Sequence, residues 1–166
     1  MKTTIHFAIG RCALGMVLVA QNERGVCAIL LGDDERRLER DLASCFPDVP
    51  LHQGDGQVLE KVVRLIERPR DALDLALDVQ GSEFEQRVWR ALQDIPAGTT
   101  VAYGELAARI GAPHAAKEVG EACAANRLAV AVPCHRVVRK DGGLAGYRWG
   151  VGRKRALLEL EKPRLE

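Results

Sequence analysis

Apolar positions along the first 80 residues change period as the chain proceeds. Residues 3–9, 15–20 and 25–31 are short runs rich in β-formers, separated by turn-type stretches, and they predict a meander of strands. From Leu38 the spacing lengthens. Leu38, Leu42, Cys45 and Phe46 mark one helical face, and Val58, Val62 and Ile66 with Leu59 and Val63 mark a second, closed at Pro69. Two helices covering a small sheet are expected. Leu73, Leu75, Leu77 and Val79 alternate with other residues, which predicts either a further strand or an extended tether into the second half of the chain.

The second half reads differently. Ser82-Glu83-Phe84-Glu85 has the form of a capping box, ahead of Phe84, Val88, Leu92 and Ile95 at helical spacing. Trp89 neighbours that apolar face and reads as core. After Pro96-Ala97-Gly98, a short helix through Leu106, Ala107 and Ile110 leads to Gly111-Ala112-Pro113 and then to a helix over residues 115–126. Two short helices about a glycine-containing turn make a helix-turn-helix candidate. The second is built from Ala115, Ala116, Gly120, Ala122, Ala124 and Ala125, so its backbone can approach another surface closely, either in a core or in a nucleic-acid groove. An apolar, strand-like segment then joins Asn126 to Val132.

A chain of 166 residues that is 47% hydrophobic can bury a core as one domain or two subdomains. The change of character near Gly81 sets the expected boundary, giving subdomains 1–80 and 81–166. Five cysteines, odd in number and irregular in spacing, with no leading apolar segment, predict a reducing, cytoplasmic setting. No apolar run approaches the roughly 18 residues of a membrane span, so no membrane partner is expected. His6, Cys12, Cys27 and His52 lack zinc spacing, and no metal is expected.

Charge separates the halves. Lys and Arg number 10 against 13 acidic residues in 1–80, and 14 against 10 in 81–166. Across residues 136–155, Arg136, Arg139, Lys140, Arg148, Arg153, Lys154 and Arg155 face only Asp141. Such a cluster suits a polyanion, because each phosphate contact releases condensed counterions. A solvated basic surface is the other reading.

Candidate chemistry sits in Val132-Pro133-Cys134-His135-Arg136-Val137-Val138. Thiolate, not thiol, is the nucleophile, and a free cysteine with a pKa of about 8.5 is only slightly ionised at neutral pH. An adjacent histidine and positive charge can raise that fraction.

Pro133-Cys134-His135-Arg136-Val137-Val138, Ala122-Cys123-Ala124-Ala125-Asn126 and Gly146-Tyr147-Arg148-Trp149-Gly150 together resemble the O6-alkylguanine-DNA alkyltransferases, and most closely the C-terminal half of Ada-type adaptive-response proteins. Weaker similarity runs back through Gly25-Val26-Cys27-Ala28-Ile29-Leu30-Leu31-Gly32-Asp33-Asp34. The resemblance implies an α/β, ribonuclease-H-like N-terminal subdomain. It also implies a mainly α C-terminal subdomain with a winged-helix-like helix-turn-helix. Its partner would be double-stranded DNA containing O6-alkylguanine, held through the minor groove with the damaged base flipped out.

By the same resemblance Cys134 is the acceptor, His135 deprotonates it through a water, Glu161 orients and charges His135, and Asn126 holds the turn that shapes the site. Tyr103 contacts the flipped base and passes a proton to guanine N3. Tyr147, Arg148, Arg136 and Val137 lie at the base pocket or the DNA, and Lys117 stands where an arginine usually fills the gap in the helix. No cofactor is implied, because the alkyl donor is the substrate, and a monomer suffices for one lesion.

Glu118 and Glu121 depart from the family, which has small or neutral residues there, and they predict weakened DNA binding. Two other classes stay open: a lesion-binding protein with weak or no transfer, and a cysteine hydrolase using Cys134 and His135, which would need an oxyanion hole.

Overall fold

The computed structural model describes residues 4–54, 56–70 and 75–162. They form two compact units. One comprises Met1–Val79 with Arg127–Ala129, and the other Gln80–Asn126 with Val130–Glu166.

The first unit is built on three consecutive antiparallel strands, β1 (Ile5–Cys12), β2 (Gly15–Asn22) and β3 (Gly25–Gly32), the predicted meander. The β2–β3 turn is set by Asn22, whose Oδ1 accepts from the backbone N–H of Arg24 (2.8 Å) and Gly25 (3.2 Å). Gly25 is required there: its φ is +143°, and a Cβ would fall 2.4 Å from the carbonyl oxygen of Ala76.

A short strand, β4 (Leu51–Gln53), adds to the expected elements. It pairs parallel to β1, giving the order β3-β2-β1-β4. Three residues carry too little alternation to stand out in a sequence.

Two helices pack on this sheet, as the spacing predicts. In α1 (Glu35–Cys45) the Asp34 carboxylate caps the first turn, accepting from Arg36 N–H at 3.0 Å, and Leu38 and Leu42 are buried. Phe46 lies just beyond the helix, with the Arg127 guanidinium 5.1 Å from its ring. In α2 (Gln57–Glu67) Val62 and Ile66 are buried. Leu59 lies over Gly10 of β1, where a Cβ would come within 2.9 Å of it, so glycine sets how closely α2 approaches.

Leu73 lies outside the described residues. Residues 75–79 take the tether form rather than a strand: one bridge joins Leu77 to Val26, with Val26 N–H to Ala76 O and Asp78 N–H to Val26 O both at 2.8 Å. Residues 127–131, expected to be strand-like, also make a single bridge, Leu128 to Ile29. Backbone bonds flank it, from Ile29 N–H to Arg127 O (2.8 Å) and from Ala129 N–H to Ile29 O (3.0 Å). These two short pieces cap the backbone of β3, which would otherwise present a free edge.

In the second unit, α3 (Glu83–Gln93) starts at the predicted capping box, with Ser82 and Glu85 bonding reciprocally. Trp89 is core, 4% exposed, and its Nε1–H donates to the Ala122 carbonyl at 2.9 Å. The helix pair is α4 (Tyr103–Arg109) and α5 (Ala116–Ala124), shorter at both ends than its sequence suggests. Gly111, at φ +80°, ends α4, the N–H groups of Ile110, Gly111 and Ala112 bonding back to carbonyls of the last turn, and Arg87 of α3 donates to the Ile110 carbonyl beside it.

A two-residue parallel ribbon, β5 (Val101–Ala102) with β6 (Val137–Val138), and a last helix, α6 (Val151–Glu161), complete the unit. No described helix is long and apolar enough to cross a membrane.

Candidate active site

After α5 the chain must turn sharply to reach Cys134. Val130 takes φ +69°, a left-handed conformation that a β-branched residue adopts at a cost of about 1–3 kcal/mol. Pro133 then leads into a single 3-10 turn, Cys134–Arg136, whose Arg136 N–H bonds back to Pro133 O at 3.0 Å. Cysteine, histidine and arginine are thereby set around one turn and project in different directions.

Asn126 is the brace. Buried to 1% exposure, it donates from Nδ2 to the Val132 carbonyl (2.9 Å) and to Cys134 Sγ (3.3 Å). Its backbone carbonyl accepts from Arg148 Nη1 at 2.7 Å. A donor aimed at sulfur favours the thiolate over the thiol. Burial pushes the Cys134 thiol above its ordinary range, against the pull of that bond and of the positive charges on Lys154 and Arg148.

The next residue is organised from the other side. His135 is wholly buried, and its Nε2 lies 2.6 Å from Glu161 Oε2. Arg136 clamps the same carboxylate, Nε to Oε1 at 2.9 Å and Nη2 to Oε2 at 2.8 Å, and its remaining nitrogen donates to the Ile95 carbonyl. Burial alone would raise the Glu161 pKa, but hydrogen bonds from His135 and Arg136 outweigh it and hold the carboxyl at about 2.

An ionised carboxylate only accepts, so the proton on His135 sits at Nε2. Nδ1 is left as a lone pair, buried without a hydrogen-bond partner among the described residues. Burial depresses the imidazole pKa more than Glu161 raises it, so the ring rests neutral. Glu161 is placed to orient His135 and to fix its tautomer, while burial opposes a charge on the resting ring. A neutral imidazole with an open Nδ1 is the form that can take a proton.

Beside the sulfur is a cavity of about 380 Å3, lined by Tyr103, Cys123, Cys134, Gly146, Tyr147 and Arg148. Gly120 and Ala124 of α5 form the rest of its wall. The small residues of α5 thus divide: Ala122 is packed in the core, whereas Gly120 and Ala124 leave room beside the sulfur. Tyr147 stands edge-on to His135, with ring centroids 6.4 Å apart, and edge-on to Trp149 at 5.3 Å. Burial pushes the Tyr103 hydroxyl up to about 12. A larger cavity, about 740 Å3, lies in the first unit between Gly10 and α2, and no cysteine or histidine lines it.

Residues 83–163 match the family model for the DNA-binding domain of 6-O-methylguanine DNA methyltransferase. The chain is 34% identical to the O6-methylguanine methyltransferase of Mycobacterium tuberculosis, whose crystal structure superposes with a TM-score of 0.80 over 98% of this chain and 96% of that one. The chain belongs to the O6-methylguanine DNA methyltransferase family. It is also 48% identical, over 95% of its length and 45% of the relative's, to the bifunctional transcriptional activator/DNA repair enzyme Ada of Escherichia coli. A methylated-DNA–protein-cysteine methyltransferase of Mycobacterium bovis is 57% identical over 55% of each chain. The chain spans about half the length of these two relatives.

Within this member of the family, the sequence-predicted residues fall into two groups. Cys134, His135, Glu161 and Asn126 converge, and Tyr103, Tyr147 and Arg148 meet them at the cavity. Val137 is buried in β6, its N–H bonded to the Cys134 carbonyl. Lys117 is exposed on α5, apart from the cavity lining, as are Glu118 and Glu121.

Two members of the basic run are not surface groups at all. Arg136 is 8% exposed and spent on Glu161 and Ile95, which removes it from the expected base or DNA contact. Lys154 is 0% exposed. The signal that could have found it is its spacing: Lys154, Leu157 and Glu161 lie on one face of α6, the face turned inward.

Proposed function

We propose that this chain repairs DNA by direct reversal, moving a methyl or other alkyl group from O6 of guanine in duplex DNA to Cys134, once per molecule. The carrying observation is the joining of a braced sulfur, a neutral histidine with an open Nδ1, and a cavity of nucleobase-binding size at one turn of chain. Small-molecule sites of about 300–1,000 Å3 are typical, and this one falls at the small end.

In this reading the Cys134 S–H proton passes through a water to His135 Nδ1, and Glu161 holds the imidazolium that forms. The thiolate attacks the alkyl carbon, a C–S bond forms, and the C–O6 bond breaks with its electron pair going to the purine. The Tyr103 hydroxyl gives its proton to guanine N3, leaving a neutral base. The product thioether has no bond that water cleaves readily, so the protein is consumed. No cofactor enters this scheme, and no partner subunit contributes to it.

Guanine O6 lies in the base-pairing edge, so the nucleotide must leave the stack. The α4–α5 pair with the β5–β6 ribbon supports a winged-helix-like reading of residues 81–166, with α5 entering the minor groove, Lys117 at the gap, and Tyr147 and Arg148 at the flipped base. The order β3-β2-β1-β4 with parallel β1 and β4 supports a ribonuclease-H-like reading of residues 1–80. A cytoplasmic monomer fits this activity. Glu118 and Glu121 favour a second reading, a lesion-binding protein with slow transfer, because both carboxylates lie on the exposed face of α5.

Titrating duplex DNA bearing O6-methylguanine against the protein and measuring restored guanine separates the readings. Repair that plateaus at one guanine per protein supports transfer; binding with no restored guanine leaves the lesion-binding reading.

A further inference from the structure

The two edges of the sheet in the first unit differ. Along β3 the backbone is met by residues 76–78 and 127–129. On the far side β1 is paired with β4 only through Ile5 opposite Leu51, His6 opposite His52 and Phe7 opposite Gln53. Two flanking bonds fix the direction of the backbone there: Ile5 N–H donates to Pro50 O at 3.0 Å, and Gly54 N–H donates to Phe7 O at 2.7 Å. Residues 5 and 7 therefore turn their N–H and C=O groups towards β4.

These groups alternate sides along a strand, so Ile9 and Arg11 turn theirs the same way. Beyond the end of β4 they meet no strand among the described residues. Ala8, Gly10 and Cys12 turn instead to β2, opposite Val19, Val17 and Gly15.

This open stretch borders the cavity of about 740 Å3 in the first unit, where Gly10 and Arg11 form one wall and α2 the other. Leu59 and Val63, both half-buried, give α2's wall its apolar part. Arg11, Arg64 and Arg68 bring positive charge to the lining, against Glu60 and Glu67. An unpaired edge beside such a hollow is how a sheet accepts an added strand: backbone bonds hold the segment, and the hollow reads its alternate side chains.

We propose that the β1 edge at Ile9 and Arg11 is a docking site for an extended, acidic peptide segment of a partner protein, which joins the sheet beyond the end of β4. The segment's backbone pairs with Ile9 and Arg11. Its side chains on the α2 side place an apolar group on Leu59 and Val63 and carboxylates on the neighbouring guanidiniums, which bind them bidentately. Charge decides between occupants. A second copy of this chain, pairing through the same edge, would bring Arg11 towards its own counterpart, like charge against like. A nucleic acid carries unbroken negative charge, which Glu60 and Glu67 oppose. An acidic peptide can space its carboxylates to meet the arginines, which outnumber the glutamates. The proposal is independent of the alkyl-transfer reading, because every residue it uses lies in the first unit.

Amide hydrogen exchange in the unmodified protein tests the edge itself. Ile9 and Arg11 are expected to exchange at least about tenfold faster than Ala8 and Gly10, and equal protection would overturn the proposal. Occupancy is tested by fluorescence anisotropy with a labelled, end-blocked peptide alternating glutamate with valine. It is expected to bind, to protect the Ile9 and Arg11 amides, and to bind at least about tenfold more weakly to Arg11→Glu combined with Arg64→Glu. Both side chains are exposed and neither lines the cavity beside Cys134, so methyl transfer should not change.

Should the double variant fail to fold, the same peptide N-methylated at alternate residues carries the test, since it loses the backbone donors and should not bind. A lysine-valine counterpart should not bind either. No binding of the acidic peptide, or binding that N-methylation leaves unchanged, overturns the proposal. So does displacement of the peptide by undamaged duplex DNA, which would make the site a polyanion surface, or its displacement by self-association of the protein at raised concentration.

Discussion

Glu161→Gln is the change whose effect the geometry fixes most closely. Glutamine keeps the shape and one acceptor oxygen but loses the charge that His135 and both ends of the Arg136 fork share. Arg136, 8% exposed, cannot shed its proton, so the variant holds a buried cation without an anion. Breaking such a pair from one side costs about 3–5 kcal/mol. A second route gives a similar figure. The Glu161 carboxyl is held at about 2 against an ordinary 4.5, and at about 1.4 kcal/mol per pH unit this is worth about 3 kcal/mol at neutral pH.

The sign is set by the depressed pKa. The stability it confers is present in full above the unfolded value of 4.5 and is lost as pH falls through the folded value of about 2. Urea denaturation of both proteins at pH 7, 5, 4 and 3 should therefore show a gap of about 3 kcal/mol at pH 7 and 5. The gap should narrow by about 1.4 kcal/mol per pH unit below pH 4.5, while other carboxylates titrate equally in both. A gap under about 1 kcal/mol at pH 7, or one that stays constant to pH 3, would mean that the Glu161 charge does not stabilise the fold through His135 and Arg136.

Three further outcomes are expected. Asn126→Ala removes the donor to both Val132 O and Cys134 Sγ; urea denaturation should show a loss of about 2 kcal/mol, and the pH midpoint of Cys134 alkylation should rise. Trp89→Phe deletes the indole bond to the Ala122 carbonyl and should lower stability by about 1–2 kcal/mol while leaving the pH profile of Cys134 unmoved, because that bond braces the back of α5. Glu118→Gln with Glu121→Gln should tighten binding to undamaged duplex by about tenfold at low salt, measured by fluorescence anisotropy, with the gain shrinking as salt is added; unchanged affinity at every salt concentration would place α5 away from the phosphates.

How much of this was legible in the sequence depends on where polar residues point. The meander, α1, α2 and α3 were legible because Leu38 and Leu42, Val62 and Ile66, and Val88 and Leu92 put only apolar groups inward. Helix α6 carries no such signal: its inward face holds Lys154 and Glu161 beside Leu157, so the apolar period is cancelled by two charged residues. For the same reason the basic run from 136 to 155 misled, since charge counting cannot tell Arg139, exposed, from Arg136 and Lys154, buried.

The chemistry of the site was legible only in part. Cys134, His135 and Asn126 stood out through motif, and Glu161 through its distance from Cys134. Which ring nitrogen carries the proton, and that the ring rests neutral, depend on the depth of burial and on Arg136 sharing the carboxylate, neither of which a linear pattern encodes. Strands β4, β5 and β6 are too short, at three and two residues, to leave a periodic trace. Residues 127–131 were apolar enough to pass for a strand, but their apolarity reflects burial of Leu128, Ala129 and Val130 around a turn strained at Val130.

The central claim is that Cys134 receives the alkyl group and keeps it. Intact-protein mass after incubation with duplex DNA carrying one O6-methylguanine, beside Cys134→Ala, tests it most directly. One added methyl is expected on the unmodified protein, never a second, and none on Cys134→Ala. An unchanged mass with lesion DNA still bound, or a methyl group that Cys134→Ala also acquires, would contradict it.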